Sequence, residues 1–175
     1  ITNDMEIGVL SHLPVGTGLG SSSSFTVSLV KGFSTYKGKK LSKDAIAKAA
    51  CNIEIDILRQ PIGKQDQYAA TFGGFNLFKF NPDDSVTNEQ LKIPAQLISE
   101  LQSHILIFYT GISRLASSIL SDQKANTPTR VDTLKHMVSL VDPFKNKLLK
   151  GDFPELGQLL HENWLNKKSL ASKIS

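Results

Sequence analysis

The stretch from Leu13 to Phe25, LPVGTGLGSSSSF, constrains this chain more than any other part of it. Before it, Met5, Ile7 and Val9 alternate with Glu6, Gly8 and Leu10, a loose period of two that predicts a strand from Ile7 to Leu13, ending at the turn residue Pro14. After it, Phe25, Leu29 and Phe33 recur at a spacing of four with Val30 beside them, which predicts one face of a helix reaching about Tyr36. Gly16, Gly18 and Gly20 therefore fall in a strand-to-helix loop, and the serines from Ser21 to Ser24 open the helix. Glycine lets backbone N–H groups approach an anion with no Cβ in the way. The free N–H groups and the positive end of the helix dipole then favour a phosphate at that point. Pro14 at the entry and the immediate run into a periodic helix argue against a slack Gly/Ser linker.

Two familiar phosphate loops do not fit. A P-loop needs a Lys before its Ser or Thr, and none lies between Pro14 and Val30. The dinucleotide fingerprint would need its third Gly where Ser21 stands. The run P-V-G-T-G-L-G-S-S-S instead resembles the second motif of the GHMP kinases, the superfamily of galactokinase, homoserine kinase, mevalonate kinase and phosphomevalonate kinase. Together with IEIDILRQPIGKQDQYAATFGGFNLFKF from Ile53 to Phe80, it is most similar to the D-glycero-D-manno-heptose 7-phosphate kinase branch. The family's N-terminal basic motif and its late Gly-rich motif are not visible here, so the expectation is an internal fragment.

With 175 residues, the chain has room for one domain, or for one domain and part of a second. It is 40% hydrophobic and 21% charged, which argues for a globular chain. The net charge of +4 is spread over dispersed lysines, with no basic block interleaved with aromatics, so no nucleic-acid partner is expected. Cys51 is the single cysteine, which excludes an internal disulfide, and a core or flank position is expected for it. No apolar run is long enough to span a membrane and no signal peptide is visible, so no membrane partner and a cytoplasmic location are expected.

Along the chain, Lys37, Gly38 and Lys39 predict a turn, and Ser42 can cap a helix with Ile46, Ala49, Ala50, Ile53 and Ile57 on one face. Pro61 lies beyond its end, a short helical run covers Asp66 to Thr71, and Gly73 and Gly74 break it before a strand or hairpin begun by Phe75, Leu77 and Lys79. Pro82 to Asn88 is polar and turn-rich and marks a candidate domain boundary. Beyond it the sequence predicts a helix over Ala95 to Leu101, a buried strand over Ile105 to Tyr109, and a helix from Arg114 through Leu115, Ile119 and Leu120. A further helix uses Val131, Leu134, Val138 and Val141 with Pro143 as a kink or break, and a last one, started by Asp152 and Pro154 after Gly151, carries Leu156, Leu160 and Trp164.

This order predicts an α+β fold rather than a regular βαβ series. The resemblance implies a ribosomal protein S5 domain 2-like N-terminal domain over residues 1–88, lacking its first strands. Part of a ferredoxin-like GHMP C-terminal domain would follow over residues 89–175.

Phosphoryl transfer needs neutralised phosphates, a bound Mg²⁺, and a group that orients or deprotonates the attacking hydroxyl. The loop supplies the first, so Pro14, Gly16, Gly18, Leu19, Gly20, Ser21, Ser22 and Ser23 are the expected ATP-binding residues. Mg²⁺ takes hard oxygen ligands from one or two protein groups plus phosphate and water. Ser21, Ser22 and Ser23 sit where a hydroxyl could reach the ion, with Ser22 the one chosen among them, and Glu54 is the candidate carboxylate, with Asp56 as its competitor and a solvated flank position as its plainer reading. Asp66 lies in G-K-Q-D-Q-Y, where it could simply cap the helix that follows. The resemblance implies that it is the catalytic acidic residue beside the reacting hydroxyl, matched at Gly63 and Asp66, with Gln65 a substrate contact. Lys64 reads as solvated. Thr110, Gly111, Ser113 and Arg114 form T-G-I-S-R at an expected strand-to-helix junction, a second anion site that would hold a phosphate already on the substrate.

The resulting expectation is an ATP- and Mg²⁺-dependent kinase for the anomeric hydroxyl of a sugar phosphate, D-glycero-D-manno-heptose 7-phosphate giving the 1,7-bisphosphate. A galactokinase- or fucokinase-type enzyme and a non-catalytic ligand-binding module of the same fold remain the alternatives, and a homodimer is left open.

Overall fold

The computed structural model of the chain describes residues 6–10, 18–109 and 129–170. Helix α1 (Ser21–Tyr36) begins at Gly20 and ends at Lys37, with Gly38 in the turn beyond it. Helix α2 (Lys43–Cys51) is capped as the sequence predicts: the Ser42 hydroxyl accepts the Ala45 N–H at 3.2 Å. It runs on as a π-helical turn over Asn52–Ile57. Helix α3 (Gln65–Phe72) leads into a hairpin of β1 (Asn76–Phe80) and β2 (Val86–Gln90), paired antiparallel from Asn76↔Gln90 to Phe80↔Val86. Helices α4 (Ala95–Ser103), α5 (Val131–Ser139), α6 (Val141–Lys150) and α7 (Phe153–Lys168) complete the described residues. The result is α+β, with a two-stranded sheet among the described residues.

Helices α1, α2 and α3 pack on one another, and α2 and α3 also meet the hairpin. Val27, Ile46 and Ala50 form one buried cluster, with Val30 against it. Ala47, Cys51 and Tyr68 form a second, closed by Ile55, Phe72, Phe78 and Val86. Tyr68 stacks on Phe72 and meets Phe78 and Phe80 edge-on, so aromatic rings join α3 to β1. A third cluster of Leu148, Phe153 and Leu156 gathers Phe75, Leu91, Ile93, Leu97, Leu101 and Phe144. The α6–α7 corner turns at Gly151 with φ 73°, a left-handed conformation that favours glycine, and a Cβ there would stand 2.8 Å from Leu97 Cδ1, so a larger residue would also have to displace the Leu97 side chain.

Several expectations change in three dimensions. The inward face of α1 is Ser23, Thr26 and Val27 rather than the Phe25–Leu29–Phe33 stripe, and Phe25 is exposed. Small side chains on that face let α1 approach α2 and α3 closely. In α2 the buried set is Ile46, Ala47, Ala50 and Cys51, followed by Glu54. Ile57, expected on the same face, is 65% exposed. A helical projection at about 100° per residue assumes an α-helix, and a π-turn displaces every later side chain from it.

The strand expected from Ile7 has no ladder partner among the described residues, and Ile7, Val9 and Leu10 are exposed. The buried strand expected at Ile105 to Tyr109 is likewise irregular, and all its side chains are exposed. An apolar run becomes a strand only where another strand takes its N–H and C=O groups. The Pro82 to Asn88 stretch, the candidate domain boundary, holds the hairpin connection and the start of β2. The helix expected through Val141 breaks at Leu140, so Pro143 sits in the first turn of α6, where its missing N–H costs no hydrogen bond. On α7 only Leu156 of the expected stripe is buried, while Leu160 and Trp164 are exposed. The helix expected from Arg114 lies outside the described residues.

Burial pushes the Cys51 thiol from 9.0 up to about 11, against a smaller opposing pull from Lys64. The unfolded chain therefore loses this proton first as pH rises, and stability falls through that interval. The urea midpoint of the native protein should drop relative to Cys51→Ala between about pH 9 and 11, with a constant difference below about pH 8. A constant difference throughout would mean that burial does not hold the thiol neutral.

Candidate active site

Gly18 and Gly20 both adopt left-handed backbone, with φ of 75° and 68°. That conformation costs an ordinary L-residue about 1–2 kcal/mol, and it swings the chain directly into α1. Gly20 is the N-cap and has no side chain to occupy the N–H groups of the first turn, so these are presented outward at the positive end of the helix. Leu19 is exposed beside them. Pro14 and Gly16 lie outside the described residues.

Beneath this helix end sits Glu54, 1% exposed. The Ser22 hydroxyl donates to Glu54 Oε1 at 2.5 Å. The Ser23 hydroxyl donates to Oε2 at 2.9 Å, and the Gln67 amide donates to the same oxygen at 2.5 Å. Three donors from α1 and α3 thus converge on one carboxylate from the π-turn of α2. The flank reading of Glu54 is overturned, because the close packing of α1 and α3 over α2 encloses it. Asp56, its competitor, is exposed and accepts only the Asn52 amide, at 3.2 Å.

Asp66 occupies the first turn of α3, but the N-cap is Lys64, which makes no side-chain capping bond. The capping reading of Asp66 therefore fails on position: its carboxylate is directed elsewhere. Its Oδ2 lies 3.8 Å from where a Cβ on Gly20 would stand. An exposed carboxylate is thus set against the glycine that opens α1. Gln65 is exposed at the start of α3. Lys64, read as solvated, instead pairs with Asp84 at 2.6 Å and so ties this loop to the hairpin turn. Thr110, Gly111, Ser113 and Arg114 lie outside the described residues.

Sequence reasoning assigned no role to Gln67 and placed Ser23 among the phosphate contacts and the hydroxyls within reach of the ion, not as a partner that holds Glu54. Gln67 is 0% exposed, and its sequence distance of 13 from Glu54 offers no helical or strand register that would pair them. The available signal was its place beside Asp66: neighbouring helical residues diverge by about 100°, so an outward Asp66 sends Gln67 inward.

The site suits a hard divalent cation shared with a ligand. Among the described residues no three His, Cys, Asp or Glu side chains gather to hold a metal by themselves. The buried Glu54 carboxylate does meet one exposed hydroxyl, that of Ser22. Mg²⁺ usually takes one or two protein oxygens and completes its shell from phosphate and water, so the donor set fits that ion. Next to the site, burial and the nearby Asp44 carboxylate push the Tyr68 phenol up to about 12, so it stays a neutral packing group.

Residues 2–74 match the GHMP kinases N terminal domain. The chain is 34% identical over 167 residues to D-glycero-alpha-D-manno-heptose 7-phosphate kinase of Campylobacter jejuni, covering 94% of this chain and 49% of that protein. It is 30% identical to a galactokinase of Thermococcus kodakarensis, covering 91% of this chain and 45% of that one. In three dimensions it resembles a D-glycero-D-manno-heptose 1-phosphate kinase from Bacteriodes thetaiotaomicron with a TM-score of 0.73 and 33% identity, covering 89% of this chain and 45% of the other. The chain thus spans about half the length of the relatives it matches.

Glu54→Leu would leave the buried Ser23 and Gln67 donors without an acceptor, at about 1–3 kcal/mol for each. Urea unfolding should show a loss of about 3 kcal/mol, with a smaller loss for Glu54→Gln, which keeps a carbonyl acceptor. Equal stability of Glu54→Leu and the native protein would contradict this account of the cluster.

Proposed function

We propose that this chain, whose residues 2–74 are a GHMP kinase N-terminal domain, carries the phosphate-binding and proton-accepting site of an ATP-dependent sugar-phosphate kinase. The observation that carries the reading is the approach of Asp66 to Gly20, which sets a carboxylate beside a helix end built to receive phosphate. In the proposed complex the N–H groups from Gly18 to Ser23, with Pro14, Gly16 and Leu19 completing the loop, cradle the nucleotide phosphates. Ser22 is the hydroxyl ligand for Mg²⁺, because it is exposed and its proton goes to Glu54, which leaves its lone pairs for an ion; the buried Ser23 holds Glu54 from within. When bound, MgATP supplies the transferable phosphoryl group and the charge neutralisation that the transfer needs.

Asp66 accepts or orients the proton of the attacking hydroxyl, and Gln65, exposed one residue before it, faces the sugar. The substrate we favour is D-glycero-D-manno-heptose 7-phosphate, phosphorylated at its anomeric hydroxyl. Support comes from the similarity to the Campylobacter kinase and from T-G-I-S-R, where Thr110, Gly111, Ser113 and Arg114 would hold the remote phosphate and so position the reacting end. The proposed division of the chain is a GHMP N-terminal domain over residues 1–88 and part of the C-terminal domain over 89–175. Among the described residues no helix is long and apolar enough to cross a membrane.

Two measurements on the full-length protein test this. Asp66→Asn should lower kcat by about 10²-fold or more while leaving nucleotide affinity nearly unchanged; since Lys64 holds the N-cap position, folding should be little affected. Turnover close to normal would end the catalytic assignment.

Arg114→Lys should raise KM for the heptose phosphate by about tenfold or more without a matching change for ATP, because an ammonium cannot reproduce a bidentate guanidinium–phosphate pair. An equal effect on both substrates, or on neither, would remove the second anion site. Faster turnover of free galactose or fucose than of the sugar phosphate would favour the galactokinase- or fucokinase-type reading.

A further inference from the structure

The buried cluster beneath α1 contains one polar atom that its packing does not explain. Gln67 has no solvent exposure, its Nε2 donates to Glu54 Oε2, and its Oε1 has no hydrogen-bond partner among the described residues. Turning the amide over would set Oε1 against the carboxylate oxygen, so the contact to Glu54 fixes which way it points. A side chain there for packing alone would be apolar, since a buried unpaired carbonyl oxygen works against stability. What the amide accomplishes is to hold a carboxylate.

We propose that Gln67 is the positioning residue for the cation site: with Ser23 it pins Glu54 Oε2 inward, which leaves Oε1, bridged to the exposed Ser22 hydroxyl, as the oxygen available to a divalent cation. The inference rests on the metal role proposed above for Glu54. Ser23 comes from α1 and Gln67 from α3, and both reach the same oxygen. With Oε2 held at two points, the carboxylate cannot rotate to exchange its oxygens, and the oxygen paired with Ser22 is always the same one. Partners of this kind behind a metal ligand typically contribute 10–100-fold in metal affinity. Asp66, the adjacent residue, faces the other way, toward Gly20. Consecutive residues of one short helix would then serve the cation and the reacting hydroxyl separately.

The test uses the full-length protein and the conservative-volume variant Gln67→Met, which removes both the donor and the orphaned acceptor. Three quantities are read: thermal stability, direct Mn²⁺ binding by water-proton relaxation, and the Mg²⁺ concentration that half-saturates MgADP binding. The expected result is a folded protein with a modest loss of stability, because the buried Glu54 carboxylate keeps its two serine donors but loses the amide, and with Mn²⁺ and Mg²⁺ affinities weakened by about tenfold or more. Glu54→Gln should weaken them at least as much, and adding Gln67→Met to Glu54→Gln should cause no further shift. Asp66→Asn should leave the metal response unchanged.

If Gln67→Met loses stability but binds both ions normally, Gln67 is a packing residue and the proposal is overturned. If Gln67→Met does not fold, Gln67→Leu replaces it; failure of both to fold overturns the proposal equally, because the amide is then structural. Normal metal binding in Gln67→Met with a defect in Glu54→Gln removes the role of Gln67 alone. Normal metal binding in Glu54→Gln removes the metal role of Glu54, and the positioning role with it.

Discussion

A carboxylate withdrawn from water needs donors to replace the ones it loses, and Glu54 finds them on two other helices. This requirement ties the N-terminal half together. Ser22 and Ser23 must stand at the start of α1, Gln67 must face inward on α3, and the end of α2 must turn Glu54 between them. The apolar packing of Val27, Ile46 and Ala50 on one side, and of Ala47, Cys51 and Tyr68 on the other, brings the three helices close enough for these bonds to form. Hydrophobic burial sets the distance, and hydrogen bonds set the register.

The same arrangement accounts for what stays at the surface. Left-handed Gly18 and Gly20 turn the chain so that α1 starts with unoccupied N–H groups, and a side chain at Gly20 would have met Asp66. The α3 helix then sends neighbouring residues to opposite destinations, Gln67 into the cluster and Asp66 to the helix end. Lys64 and Asp84 fasten the loop that precedes α3 to the hairpin, but the carboxylate of that pair is largely exposed, so it contributes little stability and mainly fixes position. The second half is built differently. Leu148, Phe153 and Leu156 hold α6 and α7 against α4 and the base of the hairpin through apolar contact, with Gly151 making room for Leu97.

Local signals carried far in this chain where the chemistry was local. The Ser42 cap, the turn after Tyr36, the hairpin after Gly74, and the helix stop at Gly151 each depend on residues within a turn or two, and each is found where the sequence puts it. Expectations that needed a distant partner fared differently. Ile105 to Tyr109 has the composition of a buried strand but no neighbouring strand among the described residues to complete it. The apolar stripe of α1 at Phe25, Leu29 and Phe33 is regular in sequence, yet the inward face is the one with Ser23 and Thr26, because the buried carboxylate lies on that side.

The sequence by itself determined the Gly/Ser loop, the helix it opens, the G-K-Q-D-Q-Y segment and the likeness to GHMP kinases, since each is written in contiguous residues. It left two readings open for Glu54 and for Asp66, because exposure and direction are properties of packing rather than of spacing. Tertiary structure decided both. The convergence of α1 and α3 over the end of α2 made Glu54 an interior acceptor, and the N-cap position of Lys64 left Asp66 to face Gly20. Gln67 became visible only there as well, because a donor and an acceptor from different helices become partners only when the core closes around them.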